Sequence, residues 1–572
     1  MTYRAPAAEI DFVLTEVIGA GRLTETERYA EATADLQTAI LTEAGKMAEE
    51  ALAPLQREGD LHPAKLENGV VRATPGFDKG YAAIRDGGWV AVSAPPEYGG
   101  MGLPMTLTTA VNEMMSSACL SLSLNPLMTQ GQIDALEHHG SDKIKDLYLP
   151  KLIEGVWTGT MNLTEPQAGS DVGALRSKAE PNGDGTYAVS GQKIYISWGD
   201  HDLAENICHL VLARLPDAGP GTKGVSLFLV PKFIPDENGN PGVANTLKPI
   251  SLEHKLGLHG SPTAVMEYDG ATGWLVGPEH GGMKCMFTMM NNARLGVGVE
   301  GLGVAEAATQ KAIAFALDRK QGRTPLGENG TGTIVDHADV RRMLMTMKAL
   351  TASSRAIALD TAFSIDMGKA TGEVGWQARA AFLTPICKAF STDIGNEVAH
   401  LGVQVHGGMG FVEETGAAQF SRDVRVTAIY EGTNGIQSMD LVGRKLMDGG
   451  AAAEAMMQEV RTGADAAGAA SEMAELGAAL GAALSSVTAA TDWMLQAEMN
   501  DRFAGAVPYL RAWGLLLGGH YLLKAAIADP ARKPLAAFHI AQLCAQIPGL
   551  TAAATAGAAP LYAIDAEELA SA

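Results

Sequence analysis

Apolar residues recur at helical spacing through LQTAILTEAGKMAEEAL, and the pattern stops before Pro54. GFDKGYAAIRDGGWVAV and the methionine-rich LTTAVNEMMSSACLSLSL keep the same period; the methionines there read as adaptable core filling rather than a ligand set. Near Trp157 the character changes. TYAVSGQKIYISWG, ICHLVLARL, GVSLFLVPKF and AVMEYDGATGWLVG are short, β-branched and aromatic, and Gly, Asp, Asn and Pro divide them, so they predict strands and turns. No helix of useful length lies between them, which predicts an antiparallel sheet rather than βαβ units. After Gly282 helical spacing returns in MFTMMNNARLGVGVEGLGVAEAATQKAIAFALDRK and in two further long segments. From about Ala451 the chain is Ala-rich and again helical, with breaks near Pro530, Pro534 and Pro548.

This order predicts a mainly α protein with a central antiparallel β domain. The expected divisions are an N-terminal extension over 1–35, a helical domain over 36–157, a β domain over 158–280, a helical bundle over 281–450 and an additional helical domain over 451–572. LRAWGLLLGGHYLLKAAIA is the most apolar late stretch, but Arg511, His520 and Lys524 interrupt it, so it predicts a buried helix rather than a membrane span.

Charge and cysteine usage narrow the classes. Lys and Arg number 43 against 65 Asp and Glu, a net −22 that opposes general binding to nucleic acid or anionic membranes. It leaves room for an anionic ligand at one local basic patch. Cys119, Cys208, Cys285, Cys387 and Cys544 are widely and irregularly spaced, with no CxxC pair or zinc pattern, so reduced thiols in a cytoplasm and no metal are expected. The N-terminus has no basic stretch followed by a long apolar run, and no signal peptide is expected.

Gly296-Val-Gly298-Val-Glu-Gly301 matches GxGxxG, but a dinucleotide fingerprint needs a preceding strand, and FTMMNNARL reads as helix. Close helix packing through small residues is the preferred reading. Neither GxSxG nor a Walker loop occurs, so hydrolase and NTPase readings have no support. Two loops remain. Leu163-Thr164-Glu165-Pro166-Gln167-Ala168-Gly169-Ser170-Asp171 lies at the helical-to-β boundary; its hydroxyls and backbone N–H groups could hold a polar ring system or phosphates, or it could be an ordinary capped turn. In Ile429-Tyr430-Glu431-Gly432-Thr433-Asn434-Gly435 a carboxylate stands among apolar and aromatic residues beside a glycine that permits close backbone approach. Such surroundings exclude water and raise an acid toward neutrality, which suits a general base. A Glu satisfied at a helix N-terminus fits the same residues equally well.

Taken together and in order, these segments resemble the acyl-CoA dehydrogenase family. LTEPQAGSD is similar to that family's flavin and substrate loop, and GQKIYISWG, with Tyr195-Ile196-Ser197, to its second flavin segment. EHKLGLHGSPT and MNNARLGV resemble the passage into its C-terminal helical domain. DRKQGR around Arg319 resembles the segment that reaches a neighbouring subunit's FAD, although RKQGR stands where RxQF is commoner. Gln404-Val-His-Gly407-Gly408-Met-Gly410-Phe resembles the QxxGGxGY loop, and RDVRVTAIYEGTNGIQ the catalytic loop nearly residue for residue. Tyr195 and Ser197 stand where Trp and Thr are frequent, and keep an aromatic face and a hydroxyl.

The resemblance covers roughly Leu36 to Lys445. It implies N-terminal helices, a β domain and a C-terminal four-helix bundle, with FAD, an acyl-CoA thioester and a homodimer more than a tetramer. It implies Glu431 as the base that takes the proton alpha to the thioester carbonyl, while the beta hydrogen leaves as hydride and a trans-2-enoyl-CoA results. Cofactor-binding roles then fall to Met161, Leu163, Thr164, Gly169, Ser170, Tyr195, Ile196, Ser197, Arg319, Gln404, Gly407, Gly408, Thr433 and Gly435. Ser170, Asn291, Arg294 and Gly432 become candidates for substrate contacts; Arg294 fits a simple pairing with a carboxylate equally well. The extension and tail resemble a longer branch, which implies 3-methylmercaptopropionyl-CoA as substrate and methylthioacryloyl-CoA as product, in dimethylsulfoniopropionate breakdown. Medium- or long-chain acyl-CoA is the alternative. Electron-transfer flavoprotein is the implied acceptor. An oxidase on the same fold and a non-catalytic acyl-CoA-binding scaffold are the rival readings, the latter opposed by the intact Glu431-Gly432-Thr433.

Overall fold

The structure is a computed structural model, and it describes residues 3–326, 330, 332–469 and 472–571. The chain forms two units, one holding Thr42–Gly296 and the other Pro6–Leu41 with Val297–Ala572.

In the first unit, helix α1 (Met105–His139) is broken at Cys119, whose φ of −156° and ψ of 88° are not helical, and it contains Pro126. Helix α2 (Asp142–Glu154) begins where the Ser141 hydroxyl accepts from the Ile144 N–H and ends at Gly155, whose φ of 79° suits glycine. A seven-stranded sheet follows. Its strands are β1 (Trp157–Asn162), β2 (Lys178–Pro181), β3 (Tyr187–Ser197), β4 (Asn206–Ala213), β5 (Ser226–Pro231), β6 (Leu247–Leu252) and β7 (Thr263–Val276). Their order is β1-β4-β5-β7-β3-β2, with β6 also on β7. Its core holds Val189, Ile196, Val211, Phe228, Val230, Met266 and Tyr268.

The ladders are antiparallel as expected, except one. β1 runs parallel to β4, from Trp157 opposite Asn206 to Asn162 opposite Val211. A parallel neighbour needs a long connection, and the β2–β3 hairpin between them supplies it.

That connection begins with the Leu163–Asp171 loop, which a buried ion pair holds. Glu165, 4 % exposed, accepts from Lys193 Nζ at 2.8 Å, from the Ser177 hydroxyl at 2.6 Å and from the Arg176 and Ser177 N–H groups at 2.7 and 3.0 Å. Lys193 Nζ also donates to the Leu163 carbonyl at 3.0 Å. Burial alone would raise the Glu165 carboxyl, but the Lys193 charge and these hydrogen bonds lower it to about 2.

In the second unit, α3 (Gly282–Asp318, of which residues from Val297 onward belong here) packs with α4 (Ala338–Thr371) and α5 (Val374–His406). The GxGxxG residues serve this packing, as the sequence suggests. A Cβ on Gly298 would lie 2.8 Å from Cys387 Sγ, and one on Gly301 would lie 2.5 Å from the Ser391 carbonyl oxygen. Then come α6 (Asn434–Gly443), α7 (Ala451–Ala469), α8 (Ala474–Gln496) and α9 (Ala506–Ala528). α9 is the apolar late stretch, and it is buried: a Cβ on Gly514 would meet the Phe390 ring at 2.2 Å, and Trp513 is wholly covered. The N-terminal segment packs with the tail. Glu9 pairs with Arg532 at 2.7 Å, and that guanidinium lies 3.6 Å from the centre of the Phe12 ring.

Removing one partner of a buried ion pair strands the other charge, at a cost of about 3–5 kcal/mol. Glu165→Ala should therefore lower the midpoint of thermal unfolding, read by circular dichroism. A carboxyl lowered to about 2 from its ordinary 4.5 stabilises fully above the higher value and loses that stabilisation as pH falls toward the lower. Between these pH values the wild type should lose more stability than Glu165→Gln, and equal losses would refute the clamp.

Candidate active site

The catalytic-loop candidate lies in the second unit, between a short helical turn at Arg425–Ala428 and α6. Glu431 has a φ of 56°, a left-handed backbone that side-chain-bearing residues seldom adopt, and Gly432 follows at 82°. Such strain persists only where the surroundings over-determine it, and here both flanks are tied. On one side the Tyr430 hydroxyl donates to Glu300 Oε2 of α3. On the other, Asn434 opens α6 and is fastened to α5: its Oδ1 accepts from Lys388 Nζ at 2.9 Å, and its Nδ2 donates to Asp393 Oδ1 at 2.6 Å and to the Ala389 carbonyl at 3.2 Å. The Glu431 carbonyl accepts from Gln437 Nε2 at 3.2 Å. Thr433 is the cap of α6, its hydroxyl accepting from the Ile436 N–H at 3.2 Å. Helix capping is thus the work of Thr433, and Glu431 stands half-buried between two anchors.

Electrostatics single out the same corner. Burial pushes the Glu300 carboxyl up to about 8; the Glu431 charge adds to the rise, while the Tyr430 hydroxyl and Lys388 oppose it. Burial and the two carboxylates push the Tyr430 phenol well above its ordinary value. Glu300, Tyr430 and Lys388 were not among the sequence candidates. A lone carboxylate inside the apolar, glycine-rich LGVGVEGLGVA was the available signal for the first.

In the first unit the two flavin-like segments meet. The Ile194 N–H donates to the Thr164 carbonyl at 2.9 Å, and Lys193 binds the Leu163 carbonyl. The β3–β7 register shifts between the Ile196–Ala264 and Lys193–Met266 pairs, a bulge that places Tyr195 at a φ of 61° and leaves it 61 % exposed. Ser197 is half-buried and Ser170 exposed. Gly169 has open space where a Cβ would point. Met161 is half-buried on β1. Ile196 differs: at 2 % exposure its side chain belongs to the sheet core, so only its backbone can meet a ligand. An uncovered aromatic face beside hydroxyls and a rigid loop fits a flavin ring and its polar tail. Lys193, inward on β3 in the GQK segment, is the residue that sequence reading missed here.

Asn291 is exposed on α3. Arg294, 6 % exposed, lies over Phe287, with its guanidinium 5.7 Å from the ring centre and 3.5 Å from Asn291 Oδ1. Gln404, Gly407 and Gly408 are exposed at the end of α5, where Gly407 breaks the helix with φ 58° and ψ −138°. Gln404 lies 12 residues beyond Thr392, roughly 18 Å along the helix axis, so this loop is remote from the Asn434 anchor. Arg319 is exposed just after α3, its carbonyl accepting from the Ile334 N–H at 2.8 Å. Gly435, in the first turn of α6, is half-buried.

Gly432→Ala tests the loop. The new Cβ would lie 2.7 Å from Gln437 Nε2 at a φ of 82°. The strain should cost about 1–2 kcal/mol, and displacement of Glu431 should lower turnover roughly 100-fold. Full turnover in a folded variant would refute a loop held to tight tolerance.

Four family descriptions match the chain. They are the N-terminal domain of acyl-CoA dehydrogenase over residues 34–156, its middle domain over 160–271, its C-terminal domain over 280–447 and an acetyl-CoA dehydrogenase C-terminal-like domain over 453–565. The 3-methylmercaptopropionyl-CoA dehydrogenase of Ruegeria pomeroyi is 47% identical over 544 residues, 93% of this chain and 92% of that one. A butyryl-CoA dehydrogenase of Syntrophomonas wolfei is 35% identical, covering 77% of this chain and 75% of its own. Among solved structures, Caenorhabditis elegans ACDH-11 in complex with C11-CoA superposes with a TM-score of 0.79 at 21% identity, over 96% of this chain and 92% of that one. An acyl-CoA dehydrogenase from Bacillus anthracis complexed with FAD gives 0.75 at 20% identity, over 95% and 90%. The chain belongs to the acyl-CoA dehydrogenase family, and it is an FAD-dependent enzyme that introduces the alpha,beta double bond of an acyl-CoA thioester.

Proposed function

We propose that the chain converts 3-methylmercaptopropionyl-CoA to methylthioacryloyl-CoA, with Glu431 as the base that removes the alpha proton. The substrate reading is carried by the 47% identity to the Ruegeria pomeroyi enzyme, which extends over 93% of this chain, too much of it to leave out the tail as a whole. The base reading rests on the tethered left-handed turn, which holds Glu431 at a fixed place.

The alpha C–H of a thioester is a weak acid, so the enzyme must hold a carboxylate against it and stabilise charge developing on the carbonyl oxygen. Glu431 does the first, and its own backbone N–H is the donor for the second. One such donor is typically worth about 100- to 1000-fold in rate. Thr164, Ser170, Tyr195 and Ser197 would hold FAD, with Tyr195 offering a ring face and the hydroxyls offering donors. FAD, when bound, supplies the acceptor for the hydride that leaves the beta carbon. Ser170 and Gly432 remain candidates for contacts with the thioester. Electron-transfer flavoprotein as acceptor, a homodimeric assembly and a cytoplasmic setting belong to the same reading, supported by resemblance.

Glu431→Gln should retain FAD and bind substrate but lose roughly 100- to 10,000-fold in turnover, the range of a general base. Flavin bleaching without oxygen checks this across a thioester panel of 3-methylmercaptopropionyl-, butyryl- and octanoyl-CoA. Normal bleaching by the variant would remove Glu431 from the mechanism, and a higher kcat/KM on the hydrocarbon thioesters would overturn the substrate.

A further inference from the structure

Glu300 is a carboxyl that the reaction as described does not use. It is 1 % exposed, and it lies between Gly298 and Gly301, the two glycines that let α3 meet α5 backbone to side chain and backbone to backbone. Oε2 accepts from the Tyr430 hydroxyl, while Oε1 is buried with no hydrogen-bond partner. An ionised carboxylate with a bare oxygen in such a place is costly; a protonated carboxyl costs less, because no net charge is buried. The packing therefore favours a neutral Glu300, and the Glu431 charge, one residue past Tyr430, favours it further. A carboxyl buried at that cost beside a strained turn calls for a role.

We propose that Glu300 is a positioning residue for the Glu431 base, fixing the Tyr430–Gly432 turn through the Tyr430 hydroxyl and sharing an electrostatic field with Glu431. The proposal rests on the assignment of Glu431 given above. The groups that face Glu300 are Tyr430 and Glu431 from the turn before α6 and Lys388 from α5. Burial sets the carboxyl at about 8, so it is neutral near pH 7. When it ionises above that, its charge makes Glu431 a stronger base, because protonating Glu431 then relieves a repulsion. The alpha proton moves to Glu431 in either state, and Glu300 exchanges no proton with substrate. The predicted signature is a rate that rises with pH near 8.

The test uses the full-length FAD-loaded enzyme, with anaerobic flavin bleaching by saturating acyl-CoA followed from about pH 6 to about pH 9. Tyr430→Phe and Glu300→Leu should each slow bleaching roughly 10-fold or more, with flavin content and apparent substrate affinity held. The double variant should be no slower than the slower single one, since both remove one interaction. Glu300→Gln keeps an acceptor for the hydroxyl, so it should recover most of the Glu300→Leu loss, and it should lack the rise near pH 8 that the wild type shows. Wild-type bleaching by Glu300→Leu, losses that multiply in the double variant, or an unchanged rise in Glu300→Gln would each overturn the proposal. Should Glu300→Leu fail to fold, the Glu300→Gln profile decides alone. Glu431→Gln run alongside separates the two assignments. An inactive Glu431→Gln with unaffected Glu300 variants sinks only the positioning role. An active one sinks the base, and the positioning role with it.

Discussion

A left-handed backbone at a glutamate is the constraint on which the candidate catalytic loop of this protein turns. Left free, Glu431 would relax toward an ordinary conformation, and its carboxylate would point elsewhere. The fold prevents this by fastening Tyr430 to α3 and Asn434 to α5. Gly432 absorbs the rest of the turn with a φ of 82°. The anchoring helices are long and largely buried, so the loop inherits their rigidity, and a carboxylate on a surface connection acquires the precision of a core residue.

The β unit solves a comparable problem with charge. Burying Glu165 and Lys193 removes both from water, a cost that their attraction offsets only when the remaining lone pairs are also met. Two backbone N–H groups and the Ser177 hydroxyl meet them, and the Leu163 carbonyl accepts a further hydrogen bond from the ammonium. Apolar residues of similar volume would fill the space as well. They would not tie the loop to β3 at a defined register, which is what brings Thr164 alongside Ile194 and leaves Tyr195 facing outward.

Much of this was legible from the chain. Alternation and turn residues located the strands, helical spacing located the long helices, and the absence of a strand before Gly296 correctly turned GxGxxG into a packing motif. The parallel β1–β4 ladder was not legible, because strand direction depends on which neighbours a strand finds after a connection of more than 40 residues, and local pattern carries no record of that choice. Among the candidate residues, Glu431 and Tyr195 could be read because glycine, aromatic and hydroxyl residues surround them in sequence. Glu300 and Lys193 act across 130 and 28 positions of chain. Nothing beside either in sequence names its partner: Glu300 stands between Val299 and Gly301, and Lys193 between Gln192 and Ile194, so the fold had to supply it. Ile196 sits between Tyr195 and Ser197 in sequence, but strand alternation sends its side chain to the other face of the sheet and leaves only its backbone for a ligand.

The glycine seam between α3 and α5 has a mechanical side. Where Gly301 faces Ser391 and Thr392, and Gly395 faces Gly301, main chain touches main chain with no layer of side chains between. A gap filled by leucines can widen or narrow as rotamers change; a gap set by carbonyl and Cα atoms cannot. The seam acts as a fixed gauge between the helix that carries Glu300 and the helix that carries Lys388. Drift in sequence elsewhere in the bundle can repack freely while the separation of those two posts stays constant.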